Sequence, residues 1–268
     1  MKTLQSHTAR KEALADITQR PDAGTRPAPE TSAAGAATMR VVGAAAIALA
    51  ASMAIQNAVV IWTGAPAYGD PIKKVLAFHA ENRTAVAIAV GLEALNLPLL
   101  LGFLTGLHGL VRRRGGAGAD WSRLALAAGA TLSAVFAFYA VLWNGVVLAA
   151  GDLAEPSPVL ELAWHMHAAA FAWSLPALGT TFIGAALAAH ASGLTPPWQR
   201  LLGVAGGGLL LAAGAANLAI ADGSAFLFVG LPGYAAWVVW LLATGIRLVR
   251  AQKTADRPED ASTSDEEE

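Results

Sequence analysis

Six apolar stretches recur along the chain, separated by shorter polar segments. Each has about 20 residues or more, the length at which a helix rising about 1.5 Å per residue crosses a hydrocarbon core of about 30 Å. The pattern therefore predicts an all-α, polytopic membrane protein, a bundle of six transmembrane helices. We place the spans at residues 41–63, 84–107, 124–150, 163–190, 201–221 and 226–246.

Basic residues fall mostly on one side of these spans. Positive charge next to a span is retained on the cytoplasmic side of the membrane. Fifteen of the 18 Lys and Arg residues lie before the first span, after the sixth, or in the segments that follow the second and fourth spans. The other segments hold only Lys73, Lys74 and Arg83, and residues 151–162 carry acids without a base. We therefore expect both termini to be cytoplasmic.

The two ends of the chain differ in composition from the apolar middle. Residues 1–38 are polar and rich in Ala, Thr and Pro, and we interpret them as a disordered cytoplasmic arm. Residues 251–268 end in a run of acids, which repel one another and stay solvated, so we expect a second disordered cytoplasmic segment. Residues 39–250 form the predicted six-helix domain.

Composition narrows the class further. The chain is 55% hydrophobic and 14% charged, against about 25% charged in soluble domains. It has no cysteine, which excludes disulfides, thiolate nucleophiles, iron–sulfur clusters and thiolate zinc sites. The abundance of Ala and Gly, with Arg favoured over Lys, is typical of GC-rich bacteria, so we expect a multi-pass protein of the bacterial cytoplasmic membrane. Its partner is the lipid bilayer, and nothing in the charge distribution indicates nucleic acid.

Small residues recur at a spacing that favours close helix packing. Helices in lipid associate where Gly or Ala lets the backbones approach, and the sequence has two GxxxG pairs. These faces predict a tight bundle and could also hold a second copy or a membrane partner. The pairs are Gly102 with Gly106 and Gly203 with Gly207, and Gly206, Gly208 and Gly214 add to the second.

One acid, Glu93, lies deep within a predicted span. An ionised side chain near the bilayer centre costs at least about 2.5 to 3.5 kcal/mol, so Glu93 must be neutral, paired or hydrated. Asn96 follows three residues later on nearly the same helix face. With Asn144 and Asn217 on other spans, these residues form a candidate intramembrane polar site. The alternative is that the amides only join neighbouring helices by hydrogen bonds.

The histidines offer no convincing metal or haem site. His165 and His167 are two residues apart and so face away from each other on a helix. Glu161 and His165 are four apart and share a face, and His79 from another segment would be needed as a third ligand. These three are the only metal candidates, and we expect neither a metal nor a cofactor.

Two short motifs resemble a known family. Gly91-Leu92-Glu93-Ala94 in the second span, and Leu194-Thr195-Pro196-Pro197-Trp198 before Leu202-Gly203 and a Gly-rich helix, are similar to features of domain of unknown function family 4386. The resemblance covers residues 41–250. It implies a six-helix bacterial membrane protein and brings no established activity.

Three functions are compatible with these residues. We favour a non-enzymatic integral membrane protein, structural or regulatory. The alternative is a small transporter or receptor with an outward polar cavity centred on Glu93. An intramembrane enzyme ranks third, because the spans contain no nucleophile–base pair and no metal triad, and we assign no catalytic residue.

Overall fold

The structure is a computed structural model that describes residues 30–152 and 155–255. The chain divides into two units, Met1–Ala37 and Thr38–Glu268. Of the first unit only residues 30–37 are described, and they begin the first helix; the bundle belongs to the second unit. The predicted arm and acidic tail therefore lie outside the described residues, except that residues 30–38 and 251–255 are helical.

All regular structure in the described ranges is helical, which confirms the predicted all-α class. The first, third, fourth, fifth and eighth helices are long and apolar enough to cross a membrane. The helices are α1 (Glu30–Thr63), α2 (Ile72–Glu81), α3 (Arg83–Arg113), α4 (Ala119–Asp152), α5 (Pro158–Ala191), α6 (Pro197–Ala215), α7 (Asn217–Ala221) and α8 (Leu227–Ala255).

The fifth predicted span, 201–221, is divided between α6 and α7. The helix breaks at Ala216, whose backbone N–H bonds to the carbonyls of Ala213 and Gly214. The Asn217 side chain also donates to the Gly214 carbonyl, at 3.2 Å. Asparagine competes in this way with the backbone hydrogen bonds of a helix, so a break here has a local cause.

The two short helices nevertheless extend from one end of the bundle to the other. The chain enters α6 after Leu194, whose carbonyl accepts a 2.9 Å bond from Arg247 Nε near the end of α8. It leaves α7 at Asp222, which packs against Gly69 just before α2. We call this second end, which carries α2, the α2 end.

The helices of the bundle close into a ring, of which α5 is the most buried member. Successive neighbours are α3 with α4, α4 with α5, α5 with α6, and α6 with α8, while α1 joins α8 to α3. Most of the apolar stretch of α5 is buried, whereas the other four candidate spans bury a third or less of theirs. The core between these helices consists mainly of Leu and Ala side chains, with four buried aromatic rings among them: Phe103, Phe182, Trp237 and Trp240.

Several helix crossings depend on glycine, as the small-residue pattern predicts. A methyl group on Gly207 would lie 2.7 Å from the carbonyl oxygen of Gly179, and a methyl on Gly179 would lie 2.7 Å from that of Gly207. Gly43 and Gly245 make the same kind of contact between α1 and α8. By contrast, methyl groups on Gly102 or Gly208 would meet nothing within 4 Å, so only part of each predicted motif is used inside the bundle.

The segment between the first two spans is not a simple loop. Residues Ile72–Glu81 form α2, which at 10 residues is too short to cross a membrane. It buries Val75, Leu76 and His79 on one face and packs chiefly against α4, with further contacts to α3 and α5. This helix therefore covers the end of the bundle and carries His79 into the interior.

Candidate functional site

A buried polar cluster joins α1 to α3. Glu93 and Asn96 lie on the inward face of α3, as their spacing of three residues predicts, and Gln56 faces them from α1. Gln56 Nε2 donates to Glu93 Oε2. Asn96 Nδ2 donates to Gln56 Oε1 at 2.9 Å. The three side chains are each 6–9% exposed, and we call them the polar cluster.

Among the described residues, no hydrogen-bond donor reaches two oxygens at this level of the bundle. They are Asn96 Oδ1 and Ser52 Oγ, both buried. Val42 contacts Gly106 while Gln56 contacts Glu93, so α1 and α3 run in opposite directions. That register places Ser52, one turn before Gln56 on the same face, at the level of Asn96. At the α1–α3 contact, the Asn96 and Ser52 oxygens are therefore available to accept hydrogen bonds close to the Glu93 carboxyl group.

Glu93 has neutral neighbours. The side chains of Tyr68, Tyr139 and Tyr234 all lie close enough to interact electrostatically with its carboxyl group. Tyr234 Oη accepts a 2.7 Å bond from Asn57 Nδ2, and burial raises the pKa of Tyr68, with smaller contributions from Tyr139 and Glu93. In the part of the chain that the structure describes, ion pairs occur at Lys74–Asp70 and Arg123–Asp120, and none reaches Glu93.

Aromatic and histidine rings fill the space between the polar cluster and α2. His167 stacks on Tyr139 with ring centroids 4.0 Å apart and on Trp164 at 4.9 Å. Its Nδ1 donates to the Tyr139 carbonyl at 3.2 Å. We call these rings the aromatic cluster: Tyr68, His79, Tyr139, Trp143, Trp164, His167 and Phe171.

Both ring nitrogens of His79 are engaged in this cluster. Nδ1 donates to the Val75 carbonyl at 2.7 Å, and Nε2 accepts from Trp143 Nε1 at 2.9 Å. Burial lowers the pKa of His79, which keeps the ring neutral. The ring therefore supports packing between α2 and α4.

The three metal candidates do not converge. His79 uses both nitrogens inside the bundle, whereas Glu161 and His165 are exposed on the first turns of α5. Among residues 30–152 and 155–255 no group of three or more His, Asp or Glu side chains is placed to hold a metal ion.

The other two amides of the predicted polar site lie elsewhere. Asn144 is exposed on α4, where it lines a surface groove, and Asn217 bonds locally at the α6–α7 break. Neither hydrogen-bonds to the polar cluster in the described part of the chain. Position along a span predicts the depth of a residue in the bundle, but the rotation of each helix decides which side chains meet. Of the four predicted residues, only Glu93 and Asn96 lie on the same face.

The sequence contained a signal for the missing members. Ser52 and Gln56 are four residues apart on one span, so their shared face on α1 was visible in the pattern. The three tyrosines and Trp143 had no such signal, because their positions depend on helix packing.

The chain matches no protein-family model, no curated protein and no solved structure. Its function is therefore inferred from the residues and their geometry alone.

Proposed function

We propose that the protein crosses a bacterial cytoplasmic membrane six times, with both termini in the cytoplasm. Five helices have the length and composition of spans, and α6 with α7 supplies the remaining crossing. Support comes from the path of residues 197–221, whose two ends lie at opposite ends of the bundle. The distribution of Lys and Arg sets the orientation, with the α2 end outside.

Cysteine labelling tests this topology, and the chain has no native cysteine to interfere. We expect a membrane-impermeant maleimide to label Glu155→Cys and Asp222→Cys in intact cells, and to label Arg113→Cys only after permeabilisation. Of these positions, Glu155 and Arg113 are exposed and Asp222 lies at the turn after α7. Protection of Asp222→Cys in intact cells would show that α6 and α7 do not cross and would overturn the six-span arrangement.

We infer a regulatory, non-enzymatic function in which the polar cluster binds a proton or a small cation and couples it to the α1–α3 contact. One observation carries this inference. The carboxyl group of Glu93 is buried against neutral amides and tyrosines, with no cation from the described residues to balance it.

An unbalanced charge in this position is costly. A buried carboxylate without a counter-charge is unfavourable by several kcal/mol, so a proton or a bound cation must neutralise it. The oxygens of Asn96 and Ser52, to which no described residue donates, are hard ligands of the kind that small cations prefer. Because Gln56 belongs to α1 and Glu93 to α3, binding or release changes the interaction between two helices.

Thermal unfolding of the purified chain tests this function. We expect wild-type stability to fall by about 2–3 kcal/mol when protons and small cations are withdrawn together, in alkaline choline chloride, and to recover with acid or Na⁺. The near-isosteric, uncharged Glu93→Gln should lose this response, whereas the matched control Glu161→Gln, at an exposed acid, should keep it.

A structural function is the second candidate, favoured by the closed chain of bonds from Asn96 through Gln56 to Glu93. In that case Glu93→Gln keeps the helices joined and responds to pH and salt as the wild type does.

A transporter has less support, since Asn144 and Asn217 do not extend the cluster into a path. The resemblance to domain of unknown function family 4386 stays a prediction. The helix faces that carry Gly102 and Gly208 are open to a second copy or a membrane partner, because a side chain there would meet nothing within 4 Å.

A further inference from the structure

A groove runs along the surface of the bundle between α3 and α4, away from the polar cluster. Its volume is about 390 Å³, within the range of small-molecule sites. Its walls are mainly apolar, and it opens on the outer surface of the bundle. Its lining includes Arg83, Val86, Val90, Gly91, Asn144 and Leu148.

Arg83 places a positive charge at the mouth of this groove. Its guanidinium packs beside Gly151, where an added methyl group would lie 2.8 Å from Nη1. In the described ranges Arg83 has no ion-pair partner, whereas nearby Lys74 is bound to Asp70 at 2.8 Å. It is also one of three basic residues on a side of the protein otherwise poor in positive charge.

Asn144 is a second polar group that faces the groove without a partner. It is exposed, and it makes no hydrogen bond with the residues that the structure describes. It lies two turns from Gly151 on α4, hence about 10 Å along the helix from the guanidinium. An amide facing hydrocarbon without a hydrogen bond is unfavourable, so a polar group of a bound ligand would stabilise it.

We propose that this groove binds one anionic glycerophospholipid from the surrounding leaflet. The phosphate binds Arg83, an acyl chain lies along Val86, Val90 and Leu148, and Asn144 donates to an ester carbonyl. An unpaired cation above an apolar groove matches the charge and shape of such a lipid. The groove shares no residue with the polar cluster, so lipid binding stands or falls independently of the regulatory function.

Native mass spectrometry of the full chain in detergent tests the site, with added phosphatidylglycerol or phosphatidylcholine as probes. We expect the wild type to retain one phosphatidylglycerol in preference to phosphatidylcholine. Arg83→Gln should weaken that retention about fivefold, the effect of one basic residue on an anionic lipid. Lys73→Gln, at another exposed base of the α2 end, should leave it unchanged.

A second pair of variants tests the groove itself. A side chain on Gly91 meets nothing within 4 Å and would occupy the groove, so Gly91→Leu should fold and lose the lipid. Gly102→Leu, on the same helix and equally unobstructed, should retain it. Equal retention of both lipids by the wild type, or unchanged binding in Arg83→Gln and Gly91→Leu, would show nonspecific annular lipid only and would overturn the proposal.

Discussion

Trp237→Ala should lower the free energy of unfolding by about 3–5 kcal/mol, the usual cost of removing a fully buried aromatic side chain. Trp237 is 1% exposed. Its ring stacks on Trp240 with centroids 5.7 Å apart and meets the edge of Phe182 at 5.2 Å. The variant would leave a cavity where α5 and α8 meet, and the rigid ring of helices cannot close it.

Trp173→Ala is the matched control for this prediction. Trp173 lies on α5 but is 60% exposed, so its removal changes contacts with lipid or detergent and leaves the core intact. We expect a loss below about 1 kcal/mol. Thermal unfolding in one detergent, followed by loss of helical circular dichroism, measures both variants. Equal losses would contradict the placement of Trp237 in the core.

The second large effect concerns the crossing of α5 and α6. Gly207→Val should cost at least about 2 kcal/mol, because overpacking a filled contact forces helices apart. Even the first carbon of the new side chain would lie 2.5 Å from Ile183 Cγ1 and 2.7 Å from the Gly179 carbonyl oxygen. Neither a backbone carbonyl nor a branched side chain held at the crossing can move aside cheaply.

Gly208→Val separates this effect from helix propensity. It introduces the same residue one position later on the same helix, where a side chain meets nothing within 4 Å. We expect a change within about 0.5 kcal/mol. The two unfolding temperatures in one detergent give the comparison. A Gly208→Val protein as unstable as Gly207→Val would mean that the residue type, and not the α5–α6 contact, sets the cost.

Both pairs of positions look alike in the sequence. Trp173 and Trp237 both lie inside predicted spans, and Gly207 and Gly208 are adjacent in the same Gly-rich run. Composition and hydropathy do not separate the members of either pair. Their difference is the rotation of a helix about its axis, which depends on contacts with other helices.

The polar residues follow the same rule. Glu93 and Asn96 could be grouped from the sequence, because a spacing of three residues fixes a common face within a helix. Asn144 could not be separated from them, since it lies on another span and its direction depends on how α4 packs. In the structure Asn144 faces a surface groove, and Gln56 of α1 contacts Glu93 instead.

The sequence by itself determined the helical class, the position of the five long apolar helices and the faces shared within each of them. These properties depend on local hydrogen bonding and on the cost of exposing polar backbone in lipid, both of which act along one stretch of chain. Only the tertiary structure decided the closed ring of helices, the position of α2 at the end of the bundle, and the division of glycines and tryptophans into buried and exposed. In lipid, hydrophobicity does not distinguish the inside of a bundle from its outside, so close packing between helices makes that choice.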